Sequence, residues 1–220
     1  MKADKIRGSI CGLALGDAFG APYEGGIPER VLWSVIGKTR GKHRWTDDTQ
    51  MTIDVVESLL EHGRVDQDDL ARRFGHSYRW SRGYGRGAAR ILKRIRRGQP
   101  WEAASRSVFR EGSYGNGGAM RAPVVGLFFA GAGEYPIIEA AKAIAAVTHA
   151  HPLGQEGAAL IALTTALASQ DVGNSEIFDR LREHVESPKV AARLEKAEQL
   201  LQAQDPAPPR EVAAQLGIEI

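Results

Sequence analysis

The sequence predicts a single all-α domain over residues 1–220, on the strength of three observations. Apolar residues recur every three or four positions along most of the chain, which is the spacing of one helix face. Strand-like patterns are nearly absent: VVGLFF at 124–129 is the one such run, and because it follows Pro123 it could equally open a buried helix. No low-complexity linker or internal repeat divides the chain, and 220 residues suffice for one sizeable core.

The first segment carries two stripes at helical spacing. One is apolar and consists of Ile6, Ile10, Leu13 and Ala14. The other consists of glycines at every fourth position, Gly8, Gly12, Gly16 and Gly20. Glycine costs a helix about 1 kcal/mol relative to alanine, so such a run suggests that another backbone or a ligand comes close. We expect close helix packing at the first two glycines and ligand contact at the last two.

Seven further helices follow from the same periodicity: 48–60, 67–79, 86–97, 137–147, 153–168, 175–185 and 189–203. In the first of them, Met51, Val55, Leu59 and Leu60 are expected to face inward. The basic residues of 86–97 are interpreted as a solvated helix face. DPAPPR at 205–210 is predicted to be a loop.

Composition limits the partners. A net charge of +2 is too small to favour nucleic acid or an anionic membrane. Cys11 is the only cysteine, which excludes an internal disulfide and favours a reducing compartment. Asp4 and Arg7 interrupt the N-terminal apolar residues before an export signal develops, and the apolar stretch at 157–169 is shorter than the roughly 20 residues of a membrane span. We therefore expect a cytoplasmic protein with neither nucleic-acid nor membrane partners.

Residues 45–50, Trp-Thr-Asp-Asp-Thr-Gln, are the most informative for chemistry. Asp47 and Asp48 are adjacent and stand between hydroxyl side chains at the start of a strongly periodic helix. One interpretation is N-capping by Thr46 or Asp47, with Gln50 closing a capping box. The other is a cluster of hard oxygen ligands suited to Mg²⁺, Ca²⁺ or Mn²⁺ rather than zinc. Taken alone, the segment favours neither.

Two other segments place polar groups beside glycines. GDAFGAPYE at 16–24 contains Asp17, which alone favours a surface or capping role, and Glu24, which lies in a loop of the kind where active-site groups concentrate. GSYGNGGAMR at 112–121 can present successive backbone N–H groups to phosphate oxygens, although it matches neither the Walker nor the dinucleotide fingerprint. A plain loop is the alternative for this second segment.

His149 and His151 raise the question of a metal site before Pro152. Two histidines at i and i+2 of a helix point to different faces, and no cysteine accompanies them, so zinc is disfavoured. A polar contact to a ligand, or a capping role at the helix break, fits these residues better.

Taken together and in order, GDAFGAPYE, WTDDTQM, GYGRG, GSYGNGGAMR and THAHPLG closely resemble the ADP-ribosylglycohydrolase family. That family includes the dinitrogenase reductase-activating glycohydrolases and the ADP-ribosyl-acceptor hydrolases. The resemblance covers about residues 5–170 and is specific, because five separate motifs agree in order. It implies an orthogonal multi-helix fold and a Mg²⁺-dependent hydrolase. Such an enzyme cleaves ADP-ribose from an acceptor, which is a protein side chain such as arginine or serine, or a small molecule.

The resemblance also implies site residues. Thr46, Asp47 and Asp48 resemble the metal ligands, and Glu24 resembles the acidic residue near the metals and the scissile bond. Glu24, Asp47 and Asp48 are therefore the expected catalytic group. The implied contacts to ADP-ribose are Gly83, Tyr84, Gly85, Ser113, Tyr114, Gly115, Asn116 and His149.

The sequence departs from the family pattern in one motif. The family has a late Asp-x-Asp-Thr motif that completes a site for two Mg²⁺ ions, and the 220 residues contain no such motif. We therefore expect a C-terminally short domain with one weakly held Mg²⁺ at most. We also expect an exposed apolar face of the core at its C-terminal side, which favours self-association or a partner that covers it. The alternative functions are a degenerate ADP-ribose-binding pseudoenzyme and a structural helical module.

Overall fold

The computed structural model describes residues 3–24, 27–39, 41–203, 205 and 207–216, and its architecture is almost entirely helical. The α-helices are α1 (Ala3–Gly20), α2 (Ile27–Ile36), α3 (Asp47–His62), α4 (Gln67–Ser77), α5 (Arg86–Arg96), α6 (Trp101–Ser105), α7 (Pro123–Phe128), α8 (Glu134–Ala146), α9 (Pro152–Ser169), α10 (Asn174–Arg182), α11 (Pro188–Gln202) and α12 (Pro209–Gln215). Strand β1 (Lys38–Thr39) pairs antiparallel with β2 (Lys42–His43). The predicted all-α class is confirmed.

The periodic segments form the predicted helices, with ends that shift by three residues or fewer. The run VVGLFF proves to be helical, since it belongs to α7. Among the α-helices and strands, four elements were not predicted: α2, the short α6, the β1–β2 hairpin and α12. Helix α12 begins inside the predicted loop 205–210, of which position 206 lies outside the described residues.

One inward-facing residue of α3 was predicted wrongly. Met51, Val55 and Leu59 are buried as expected, but Leu60 is 72% exposed. Adjacent residues of a helix point about 100° apart, so Leu60 lies beyond the edge of the stripe that Leu59 completes. The sequence shows that position 60 is apolar, but it does not show how wide the buried face of α3 is.

Helices α7, α8 and α9 pack at the centre of the hydrophobic core. The α7–α9 contact depends on Gly126, because a Cβ placed on it would lie 2.0 Å from the carbonyl oxygen of Ala162. Helix α9 also organises the C-terminal helices. The buried carboxylate of Glu156 accepts hydrogen bonds from the backbone N–H groups of Glu186 (2.8 Å) and Ser187 (2.9 Å), immediately before α11.

Gly126→Ala is expected to lower the free energy of unfolding by about 1–3 kcal/mol, the usual cost of overpacking, because the new methyl group meets rigid backbone. Gly157→Ala in α9 is the matched control: its Cβ meets nothing within 4 Å, so alanine should stabilise the helix by up to about 1 kcal/mol. Urea unfolding of both variants measures the difference. Equal effects would contradict the close approach of α7 to α9.

Helix α1 packs less closely than its glycine stripe suggested. A Cβ on Gly8, Gly12, Gly16 or Gly20 would meet no described atom within 4 Å. The expected backbone packing at Gly8 and Gly12 is therefore wrong for the described part of the chain, whereas ligand contact at Gly16 and Gly20 stays a prediction. The one buried residue of α1 is the acid Asp17. No helix in the described ranges has the length and apolar character required to cross a membrane.

Candidate active site

The acidic segment begins α3, and its first turn is capped. Thr46 is the N-cap residue, and its hydroxyl accepts a hydrogen bond from the backbone N–H of Asp48 at 3.2 Å. The capping interpretation of Thr46 is thus confirmed. The proposed capping box with Gln50 is not present among the described hydrogen bonds.

Asp17 of α1 performs the task of the capping box instead. Its carboxylate accepts hydrogen bonds from the backbone N–H of Thr46 (2.9 and 3.0 Å) and of Thr49 (3.1 Å), and from the Thr49 hydroxyl (2.5 Å). These N–H groups, at the N-cap and third helical positions, are those that a local box would satisfy. Asp17 therefore has the predicted capping role, but for a different helix from its own. Asp47 and Asp48 are left free of this capping duty.

A cleft of about 670 Å³ lies beside this helix start. Nine of the predicted site residues line it: Glu24, Asp47, Asp48, Gly83, Gly85, Ser113, Gly115, Asn116 and His149. Other residues in its wall were not predicted: Tyr23, Arg30, Met51, Gly87, Ala88, Phe109, Gly117 and Met120. Tyr23, Met51, Gly87, Gly117 and Met120 belong to the motifs quoted above, which was the available signal, whereas Arg30, Ala88 and Phe109 lie outside those motifs.

Three predicted site residues lie outside the described lining. Thr46 is buried and occupied in the N-cap, which still leaves its hydroxyl a second lone pair. Tyr84 packs against the core, with its ring centroid 4.9 Å from that of Tyr78. Tyr114 is 70% exposed and contacts the His151 ring edge-on. Metal binding by Thr46 and ligand binding by the two tyrosines stay predictions.

The carboxyl groups of the cleft raise one another's pKa. Burial and then the charge of Asp48 raise the pKa of Asp47 to about 7. Burial and then the charges of Glu24 and Asp17 raise the pKa of Asp48 to about 7. Burial and Asp17 also raise the pKa of Glu24. The wall therefore concentrates negative charge that a bound cation would relieve.

In EDTA, the free energy of unfolding is expected to fall as pH rises from about 6.5 to 8.5. The folded protein binds protons at Asp47 and Asp48 more tightly than the unfolded chain does, so ionising them through about pH 7 costs stability. Burial lowers the pKa of His149 to about 3. Titration of this histidine therefore makes the free energy of unfolding rise with pH only up to its ordinary pKa of about 6.5, below the range tested. Urea unfolding across this range tests the slope. We expect Asp48→Asn to flatten it, and an unchanged slope would contradict the assignment.

The glycine-rich loop 112–121 packs tightly against the turn between α8 and α9. A Cβ on Gly112 would lie 2.4 Å from the backbone nitrogen of His151. A Cβ on Gly117 would lie 2.3 Å from Cε1 of His149. Close contacts leave no room for a side chain at these two glycines, so the segment is more than a plain surface loop. Its predicted contact with phosphate is not tested by these distances.

His149 and His151 have separate roles, and both lie in the break between α8 and α9, as the predicted helix bounds implied. Helix α8 ends at Ala146, and His151 is the N-cap of α9, where its Nδ1 accepts from the backbone N–H of Leu153 at 3.1 Å. The capping role at the helix break is thus confirmed for His151. His149 is buried and lines the cleft, which agrees with the expected polar contact to a ligand.

The described residues contain no group of three or more His, Cys, Asp or Glu placed closely enough to hold a metal ion. The donors nonetheless fit a hard cation in kind, because Asp47 and Asp48 supply carboxylate oxygens whose pKa values are raised by burial and then by neighbouring acids. With so few protein oxygens, such an ion would keep most of its water ligands.

Comparison with known proteins agrees with this arrangement. The sequence model described as ADP-ribosylglycohydrolase matches residues 1–219. The chain belongs to the ADP-ribosylglycohydrolase family. It is 37% identical to the ADP-ribosylhydrolase ARH3 of Mus musculus over 203 residues, which cover 83% of this chain and 54% of that protein.

Two further relatives widen the comparison. The chain is 30% identical to the ADP-ribosyl-[dinitrogen reductase] glycohydrolase of Rhodospirillum rubrum, over 68% of this chain and 53% of that protein. A solved structure titled "ADP-ribosylglycohydrolase-related protein complex" superposes with a TM-score of 0.65 at 26% identity, covering 87% of this chain and 66% of that one. The chain spans about half the length of the curated relatives that it matches. The ADP-ribosylglycohydrolase fold is thus shown for the part of those proteins that it covers.

Proposed function

We propose that this chain hydrolyses the glycosidic bond between ADP-ribose and an acceptor, in a reaction that depends on Mg²⁺. One observation carries the proposal: a single cleft contains the acids Glu24, Asp47 and Asp48 together with the glycine-rich loop and His149. Glycoside cleavage passes through an oxocarbenium-like transition state, which nearby carboxylates stabilise. The names of the relatives, ADP-ribosylhydrolase and ADP-ribosyl-[dinitrogen reductase] glycohydrolase, refer to hydrolysis of the same type of bond.

The acids have distinct proposed roles. Asp47 and Asp48, with the Thr46 hydroxyl, hold the cation. When bound, a Mg²⁺ ion supplies orientation of the ribose hydroxyls and a lowered pKa for a coordinated water. Glu24 positions or activates water, or protonates the leaving group, and burial and the charge of Asp17 raise its pKa, which favours the protonated form that a proton donor needs. We expect one weakly held ion, because the described residues include no preformed group of three acidic or histidine ligands.

A specific observation favours a second candidate, an ADP-ribose-binding protein without turnover. The described residues supply few metal ligands, whereas residues of the glycine-rich loop and His149 line the cleft. Binding of ADP-ribose requires only the latter groups. The third alternative, a structural helical module, requires neither the metal ligands nor the groups that would bind ADP-ribose.

Calorimetric titration with ADP-ribose, with and without Mg²⁺, separates these functions when it is combined with a release assay. We expect binding, strengthened by Mg²⁺, and release of ADP-ribose from at least one acceptor among ADP-ribosylated arginine, ADP-ribosylated serine and a small ADP-riboside. Binding without release from any of the three would favour the second candidate. No binding at all would refute both.

The exposed apolar side chains support a further proposal, that copies of the chain associate. Ile27, Val31 and Val35 lie at four-residue spacing on α2 and are 79%, 60% and 75% exposed. Such a stripe favours burial against another surface. Sedimentation velocity is expected to show concentration-dependent association that Val31→Glu weakens. A monomer at all concentrations would contradict the proposal.

A further inference from the structure

Arg121 places a positive charge in the protein core, and no carboxylate among the described residues forms an ion pair with it. Its side chain is fully buried, its guanidinium carbon lies 4.9 Å from the centroid of the Phe74 ring, and all of its hydrogen-bond acceptors are neutral. These acceptors are the Met51 sulfur (3.9 Å), the carbonyl oxygens of Gly117, Ile144 (3.0 Å) and Ala145 (3.5 Å), and the hydroxyl of Thr148 (2.9 Å). A buried charge paired only with neutral groups is costly, which points to a role beyond packing. Burial lowers the pKa of Arg121 only to about 10, so the group stays charged at neutral pH.

The hydrogen bond from Arg121 to Thr148 determines which atom donates in the hydrogen bond between Thr148 and His149. A guanidinium can only donate, so the Thr148 hydroxyl oxygen accepts from Arg121. The same oxygen lies 2.8 Å from Nδ1 of His149, and no other acceptor for the hydroxyl proton lies within hydrogen-bonding distance in the described structure. The hydroxyl therefore donates to Nδ1. Since Nδ1 accepts, the proton of the neutral imidazole is on Nε2.

The charge behind Thr148 also keeps the ring neutral. An imidazolium would carry a proton on Nδ1, which would leave the hydroxyl proton without an acceptor and place a second positive charge near Arg121. Burial, and then the charge of Arg121, lower the pKa of His149 to about 3, which agrees with this geometry. His149 is thus unsuited to act as a general base, because Nε2 holds its proton and Nδ1 is occupied.

The protonated edge of the ring lies along the glycine-rich loop in the cleft. A Cβ built on Gly117 would come within 2.7 Å of Nε2, whereas one on Gly115 would be 3.6 Å away. Glycine at position 117 therefore leaves this edge of the ring uncovered. Arg121 also bonds the Gly117 carbonyl, so the same side chain holds both the loop and, through Thr148, the ring.

We propose that Arg121 and Thr148 are positioning residues that hold His149 as a neutral Nε2–H donor, so that this wall of the cleft binds an acceptor oxygen of the ligand. The oxygen belongs to a phosphate or to a ribose hydroxyl. The identity of the ligand as ADP-ribose rests on the proposed function, whereas the tautomer of His149 does not.

The tautomer is tested first, in the protein without ligand. A long-range proton–nitrogen NMR spectrum distinguishes a protonated from an unprotonated ring nitrogen, and His149→Gln identifies the His149 signals. We expect a protonated Nε2 and an unprotonated Nδ1, unchanged between pH 5 and 8. Thr148→Val should give a mixture of tautomers, and Thr148→Ser, which keeps the hydroxyl, should restore the single form. A protonated Nδ1 in the unmodified protein would overturn the proposal.

The ligand is tested second, by calorimetry with ADP-ribose. Thr148→Val is expected to weaken binding roughly tenfold, the usual effect of losing one well-placed hydrogen bond to a charged group. Thr148→Ser should bind within about twofold of the unmodified protein. Thr165→Val removes an exposed hydroxyl of α9 and is the matched control, with no expected change. Equal affinity in Thr148→Val and the unmodified protein would overturn the ligand contact.

The two measurements also separate this inference from the proposed function. If the unmodified protein binds no ADP-ribose, the proposed function and the ligand contact both fail. The NMR spectrum then still decides the tautomer.

Discussion

Asp47→Asn and Asp48→Asn are each expected to lower Mg²⁺-dependent release of ADP-ribose by more than about 100-fold, because each variant removes a proposed metal ligand. Asparagine keeps the shape of the side chain and removes its charge. The same variants should raise the free energy of unfolding of the metal-free protein at pH 8. The two carboxyl groups have pKa values raised to about 7, so their ionised forms oppose folding.

The expected stabilisation is on the order of 1–3 kcal/mol, which exceeds the roughly 0.3–1 kcal/mol that an acid contributes at the start of a helix. Glu57→Gln on the exposed face of α3 is the control, since its ion pair with Arg73 is a surface contact of small effect. Release kinetics and urea unfolding, each with and without Mg²⁺, measure the two effects. Loss of activity together with loss of stability would indicate a structural role for the acids instead.

Asp17→Ala should have the opposite effect on stability and lower the free energy of unfolding by roughly 3–5 kcal/mol. The variant leaves the backbone N–H groups of Thr46 and Thr49 and the Thr49 hydroxyl without their acceptor, and each such loss in a buried place costs about 1–3 kcal/mol. The start of α3 should loosen, and Mg²⁺ affinity should fall because Asp47 and Asp48 lose their fixed position.

Asp4→Ala is the matched control, because Asp4 lies in the exposed first turn of the same helix. Thermal and urea unfolding give the stability, and calorimetry gives the Mg²⁺ affinity. Asp17→Asn retains one acceptor oxygen and should give an intermediate loss. If Asp17→Ala unfolds like the Asp4 variant, the cap from α1 to α3 does not contribute to the fold.

Asp17, Asp47 and Asp48 thus show why three aspartates of one region cannot be treated alike. Backbone N–H groups surround the carboxylate of Asp17, so its charge is used to hold two helices together. Asp47, Asp48 and Glu24 line one cleft, where burial and neighbouring acids raise the pKa of Asp47 and Asp48, so that their ionised forms are destabilising. Whether the charge of an aspartate stabilises or destabilises the fold, and by how much, depends on the surroundings of its carboxylate and not on its residue type.

Local patterns in the sequence were sufficient to predict much of this protein. Apolar spacing located most of the helices, because each needs one apolar face whatever it packs against. The motifs around Glu24, Asp47 and Asp48, Ser113–Asn116 and His149 indicated the family, and all of these residues except Tyr114 line one cleft. Capping by Thr46 and by His151 was foreseeable as well, since each of these two caps involves only residues close together in the chain.

Only the tertiary structure decided which distant groups meet. Asp17 caps a helix that begins 30 residues later, and Arg121 reaches Thr148 across 27 positions. The glycines show the same limit: those at every fourth position of α1 have open space, whereas Gly117 and Gly126 are in close contact. A residue's spacing determines the face of its own helix on which it lies. What covers that face depends on how the helices pack, and packing is determined by contacts between segments far apart in the chain.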